Sequence, residues 1–332
     1  MDHARFFGAS RVVIVAGKGG VGKTTVSAVL ARAAARTGLS SLIIEVEGKS
    51  GLASMFDVAP LAYDEMELAG ATESTGSIQA RTLTPDDALL EYLREHGLGR
   101  LSKRLVSSGA LDMVATAVPG IRDILVLGKV KQLERAARTD GTPDLIVLDA
   151  PAAGHAITFL QSARGLADAV KVGPINAQAN DVLELLTAPE RCQVMLVTLP
   201  EETPVNELVD TAFRLEDRVG VSLGPVVVNG LYPDRPGIST DPAAAAEAAG
   251  ASLRGGEAAE LAAAAAFRLH RAELQAEQLG RLADRLPLPQ LRLPYLFQAD
   301  LGLAELDELA TALLDGIGAL PDLEPSAAAS DR

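Results

Sequence analysis

Arg11-Val12-Val13-Ile14-Val15-Ala16 runs directly into Gly17-Lys18-Gly19-Gly20-Val21-Gly22-Lys23-Thr24, and from there an Ala-, Val- and Leu-rich stretch continues to Arg36. The first six residues form a short, mostly β-branched run, the signature of a strand buried on both faces. The last stretch has helical composition, and Gly38 ends it. Between the two, the pattern G-x-x-x-x-G-K-[ST] sits in the strand-then-helix context that it requires. Its glycines let the backbone curl so that successive N–H groups converge on phosphate oxygens. The helix starting near Lys23 adds the positive end of its dipole. Lys23 is placed to reach the β- and γ-phosphates of a nucleotide such as ATP, Thr24 to ligate Mg2+, and Thr25 to hold the α-phosphate.

Outward from this loop, short apolar runs alternate with helical patterns. Leu42-Ile43-Ile44 reads as a second strand, Ser77 to Leu83 as a third, and Leu145 to Leu148, Val194 to Val197, Pro225 to Asn229 and Leu291 to Leu293 as the rest. Strands alternating with helices predict an α/β fold, a doubly wound and mostly parallel sheet. One domain is expected over residues 1–320, with a helical insertion at about 84–139 that Pro119-Gly120 interrupts. Residues 241–266 are alanine-heavy and predict a peripheral segment with little core area. From residue 321 an acidic, frayed tail is expected.

The chain has 332 residues and a formal net charge of −14. So acidic a surface repels phosphate backbones and predicts no nucleic-acid partner. One cysteine, Cys192, allows neither an internal disulfide nor a Cys-built zinc site. No run approaches the roughly 18 apolar residues of a membrane span. The expected location is cytoplasmic, peripheral to a membrane only through a partner.

Two carboxylate groups follow strands. Asp149 precedes Ala150-Pro151-Ala152-Ala153-Gly154-His155. It is placed to hold Mg2+ through water, with Pro151, Gly154 and His155 in a switch that senses the γ-phosphate; taken alone, it also suits a helix N-cap. Glu45 and Glu47 end the second strand, with Gly48 after them. Glu47 is the candidate base for the attacking water and Glu45 a supporting or charge-tuning neighbour, the alternative being that one or both face solvent. Glu201-Glu202 reads as a pair that favours the start of the following helix through its dipole.

Lys18 is not needed to cradle phosphate. It makes the loop resemble the deviant K-G-G-x-G-K-[ST] form of the partition, septum-placement, nitrogenase-reductase and arsenical-pump ATPases. That resemblance implies that Lys18 reaches across a dimer interface to the partner's nucleotide; a solvated surface lysine is the plainer reading. Four segments together resemble the arsenical-pump (ArsA-type) family, which includes the tail-anchored-protein-targeting ATPases. They are the loop, Asp149 to His155, Pro119-Gly120-Ile121-Arg122-Asp123, and Val227-Val228-Asn229. The resemblance implies that Asn229 reads the adenine edge, and an amide can both donate and accept there. It also implies a Mg-dependent ATPase working as a homodimer, or as a heterodimer with a paralogous ATPase, coupled to a protein or membrane client.

The departures are as informative. The family's first switch, D-P-A-H-N, becomes Glu47-Gly48-Lys49-Ser50-Gly51, and its second switch, D-T-A-P-T-G-H-T, keeps the Asp-to-Gly-His spacing with the proline one place earlier. The thiolates of arsenite recognition and the C-x-x-C zinc clamp are missing. The composition and the Glu-Val-Glu-Gly-Lys switch are most similar to actinobacterial ArsA-like ATPases, described as anion-transporting. Other readings are a weakly hydrolysing regulatory subunit and a partition- or septum-type positioning ATPase; the acidic segment Asp300 to Asp322 speaks against the latter.

Overall fold

A computed structural model describes residues 1–46, 51–95, 120–151 and 153–321. Its eight strands are β1 (Val12–Gly17), β2 (Ser41–Val46), β3 (Met66–Ala69), β4 (Ile78–Leu83), β5 (Leu145–Asp149), β6 (Cys192–Thr198), β7 (Val226–Leu231) and β8 (Gln290–Pro294). They form one sheet in the order β3-β4-β2-β5-β1-β6-β7-β8. Every neighbouring pair is parallel except β3–β4. All seven strands read from the sequence are present. The antiparallel edge strand β3 is additional; its four residues stay partly exposed and carry no apolar run to announce them.

The central strands are buried along their whole length because helices cover both faces. On one face Val12, Ile14, Ile146 and Leu148 pack against α5 (Ile121–Asp140), α6 (Ala153–Ala169), α7 (Pro174–Thr187) and α8 (Glu202–Val219). On the other, Val13, Val15, Ile43 and Val147 meet α1 (His3–Phe7), α2 (Lys23–Arg36) and α11 (Leu303–Gly318). α2 lies between the sheet and α11, and the small side chains Ala28, Ala31, Ala33, Ala34 and Ala35 let it approach both closely. Arg32 clamps the two helices with two bonds to Asp307, of 2.7 and 3.0 Å. That guanidinium holds the Asp307 carboxyl below the usual carboxylate range.

Ahead of β1 the chain is helical rather than directly extended. Asp2 caps α1 by accepting from the Arg5 N–H at 3.0 Å, and Phe6 and Phe7 are buried edge to face. α3 (Gly51–Met55) follows β2, and α4 (Pro85–Glu95) packs Leu89 and Leu93 against Leu125 of α5. The intervening leucines of the helical insertion, with Pro119, lie outside the described residues. In the alanine-heavy region α9 (Pro242–Ala248) buries nothing, while α10 runs 29 residues, Glu257–Arg285, and buries Gln275, Gln278 and Leu282. Glu201 occupies the N-cap position of α8 without a side-chain cap bond, and Glu202 lies in the first turn.

One buried ion pair fastens α5 to the amino end of β6. Arg191 donates to both oxygens of Glu134, at 3.2 and 2.7 Å, and Glu134 is fully buried. Removing the cation strands a carboxylate in the core. Arg191→Met is expected to cost about 3 kcal/mol by urea unfolding, the lower end for a broken buried pair because Arg138 remains 3.8 Å away. The double variant Arg191→Met/Glu134→Leu should recover most of it. A single-variant loss below about 1 kcal/mol would mean that the pair behaves as a solvated one.

Candidate nucleotide site

The loop of residues 17–22 crosses from β1 to α2 at the carboxyl edge of the sheet, where ligands of such sheets bind. Its path leaves no room for a side chain at Gly17 or Gly22. A Cβ on Gly17 would lie 2.3 Å from the Val197 carbonyl oxygen, and one on Gly22 2.3 Å from the Asn229 amide nitrogen. Gly22 also has a φ of 90°, in the left-handed region, and serves as N-cap of α2 without a capping side chain. Asn229 donates to the Val21 carbonyl at 3.0 Å, so β7 holds the loop from the far side. The first turn of α2 contains no acidic residue. Its N-terminus therefore presents the positive end of the helix dipole to the loop, with no carboxylate from its own first turn set against it.

Lys23 is buried at the head of α2 and donates to the Lys18 carbonyl at 3.1 Å. Its ammonium thus sits over the curl of the loop. Lys18 points elsewhere: its Nζ lies 2.7 Å from Glu207 Oε1 on α8. Thr24 donates its hydroxyl to Asp149 Oδ2 at 2.7 Å, and Asp149 is 1% exposed. That contact joins residues 125 positions apart. Asp149 stands four residues ahead of Ala153, the first residue of α6, so it is off the N-cap position. Thr25 is half-buried in the first turn of α2.

Glu45 faces inward rather than to solvent. It is fully buried, accepts from Thr82 Oγ1 at 3.4 Å, and is the register partner of Asp149 across β2 and β5. Glu47 and Gly48 lie outside the described residues. The chain resumes at Gly51, whose Cβ would be 3.8 Å from the Thr24 methyl, so this part of the first switch ends beside the loop helix. Pro151 is buried, and Gly154 and His155 fall in the first turn of α6. Cys192 is remote from all of these, at the amino end of β6, with its thiol pushed up to about 12 by burial. Glu207 is the site residue that sequence reading missed. An acidic residue on the solvent face of an amphipathic helix carries no local signal of a contact 189 residues away.

Residues 10–174 match the model of the family described as anion-transporting ATPase, which takes in the loop, β2 and the Asp149 segment. The chain belongs to the ArsA-type ATPase family. It is similar to the ATPase BagA of Mycobacterium tuberculosis, at 37% identity over 67% of this chain and 66% of that protein. It is also similar to a putative arsenical pump-driving ATPase of Halobacterium salinarum, at 25% identity over 93% of this chain and 45% of the relative. The arsenical pump-driving ATPase of Escherichia coli is 29% identical over 66% of this chain and 34% of its own length. This ArsA-type chain thus spans a third to two thirds of these relatives. Asn229 lies beyond the family match, so its assignment to the site stands on the Val21 contact. Among the described residues, no helix is long and apolar enough to cross a membrane.

The loop's geometry separates its glycines. Gly20 has a φ of 83°, but a Cβ there would meet nothing within 4 Å. Gly22→Ala is expected to weaken ATP binding by about 10-fold or more, through both backbone strain and collision with Asn229. Gly20→Ala carries the strain alone and should lose less. Titration with a fluorescent ATP analogue measures both, and equal losses would show that the Asn229 contact does not shape the site.

Proposed function

We propose that this chain hydrolyses ATP to ADP and phosphate in a Mg-dependent reaction, as a nucleotide-controlled dimeric switch coupled to a protein or membrane client. The observation that carries the reading is the contact of Thr24 with the buried Asp149 at the head of α2. A hydroxyl and a carboxylate, both hard oxygen donors, meet there beside the loop, which supports a metal site next to the terminal phosphates. That donor set fits Mg2+, which prefers oxygen ligands and keeps several waters. When bound, the metal would neutralise charge on the β- and γ-phosphates. Thr24 would hold it directly and Asp149 through water.

The remaining roles are assigned from the position of the loop and, for Glu47, from the sequence. The loop N–H groups and the α2 dipole bind phosphate, Lys23 turns from the Lys18 carbonyl to the β- and γ-phosphates, and Thr25 supports the α-phosphate. Asn229 fixes the loop through Val21 and offers its amide oxygen to the adenine edge. Glu47 is the assigned base for in-line attack by water, with buried Glu45 tuning the charge around it. Pro151, Gly154 and His155 form the segment that responds to the γ-phosphate. Lys18 is assigned the trans role: its ammonium rests on Glu207 and not over its own loop's curl, which supports a use on a partner's nucleotide.

Lys18→Ala should bind ATP within about 3-fold of the parent yet lose hydrolysis by about 1000-fold, the scale of an arginine finger. Parent activity per chain should rise with protein concentration, since one chain supplies one loop. Normal turnover by Lys18→Ala would remove the trans role. Asp149→Asn is expected to lower hydrolysis by about 100-fold or more and to raise the Mg2+ needed for half-maximal rate. An unchanged Mg2+ requirement would take Asp149 out of the metal site.

A further inference from the structure

Lys18 is held on its own protomer by a residue that belongs to no part of the phosphate loop. Its Nζ is 2.7 Å from Oε1 of Glu207, and the two side chains are 36% and 45% exposed. Among the described residues Glu207 is the one acidic partner of that ammonium. Glu207 stands on a fixed element. Val205, Leu208, Val209 and Ala212 bury the other face of α8, and Thr211 donates back to the Glu207 carbonyl at 2.7 Å. Next to it Asn206 accepts from Arg281 at 3.0 Å and from Arg285 at 2.7 Å. The helix turn that carries Glu207 is therefore anchored on both sides, while Lys18 reaches it with a long, part-exposed side chain that can change rotamer.

We infer that Glu207 is a positioning residue that parks Lys18 on its own protomer before the dimer closes. The catalytic consequence rests on the trans role of Lys18 proposed above; the parking contact itself does not. A lysine that must reach a partner's phosphates has to leave this carboxylate first. An exposed pair of this kind biases the lysine by only about 1.5- to 5-fold. That is weak enough for a polyphosphate to overcome, so the contact shifts the resting population of Lys18 without locking it.

The test uses the full chain and Glu207→Gln, which removes the charge and keeps the shape at a solvent-facing position. Without nucleotide, brief reductive methylation followed by mass spectrometry should modify Lys18 about 1.5- to 5-fold faster in Glu207→Gln than in the parent. Glu202→Gln, on the same helix, should leave that rate unchanged. In steady-state hydrolysis, Glu207→Gln should reach half-maximal activity per chain at a protein concentration lower by the same factor, with KM for ATP unchanged. Both differences should vanish at about 1 M salt, where the screening length falls to about 3 Å. Equal Lys18 labelling in the two proteins would overturn the parking contact. Faster labelling with no shift in the concentration dependence would overturn its positioning role and leave a contact that only pins the loop. Failure of the trans role is read separately, from Lys18→Ala.

Discussion

Space for a backbone, and none for a side chain, governs this site. The turn of residues 17–22 passes so close to the Val197 carbonyl on β6 and the Asn229 amide on β7 that a methyl group fits at neither Gly17 nor Gly22. Because the turn is gripped from two strands, α2 leaves it in one direction, with its N-terminal amides gathered at the carboxyl edge of the sheet. α2 in turn is wedged under α11 by a row of alanines and clamped by Arg32 to Asp307. The phosphate cradle is thus the visible end of a rigid stack, and anion binding there requires little reorganisation.

The same stack explains how charge is tolerated in the interior. Lys23, Glu45 and Asp149 are all buried. Alone, each would be costly to desolvate. Here Glu45 and Asp149 sit side by side in the register of β2 and β5, and Thr24 reaches Asp149 from the head of α2. Two buried acidic side chains thus occupy neighbouring strand positions beneath the loop. They offer oxygen donors of the kind that the proposed Mg2+ takes, which ties the proposed metal to the same packing that holds the loop.

Legibility in the sequence followed the range of the physics. The strand-loop-helix unit from Arg11 to Arg36 was readable because β-branching, glycine conformational freedom and helical composition act within a few residues. Asp149 was readable because strand ends are where such sheets place chemistry. That it stands off the N-cap position and bonds Thr24 was not, since those facts depend on α6 starting only at Ala153 and on Thr24 lying 2.7 Å away. α1 escaped notice because its five residues are held by Asp2 and by the burial of two phenylalanines rather than by any periodicity. β3 escaped because an edge strand needs one partner and little apolar surface. Gly250 and Gly255-Gly256 gave the alanine-rich segment its breaks, yet nothing after Gly256 stops a helix until Leu286, which is how α10 reaches Arg285.

The two lysines of the loop show how much a motif conveys and where it stops. Lys23 and Lys18 are five residues apart and carry the same charge, but the fold sorts them. Lys23, at the head of a buried helix, cannot leave the loop and folds onto its backbone carbonyl. Lys18, before the curl, projects to the surface and meets α8. A phosphate bound in the loop competes only for the first of these contacts. The second is an exposed ion pair that opens readily, and under the proposed trans role a second chain carrying its own nucleotide would offer Lys18 more negative charge than Glu207 does. The sequence pattern marks Lys18 as unusual; the carboxylate on α8 shows what it meets in the single chain, and so what the proposed partner has to displace.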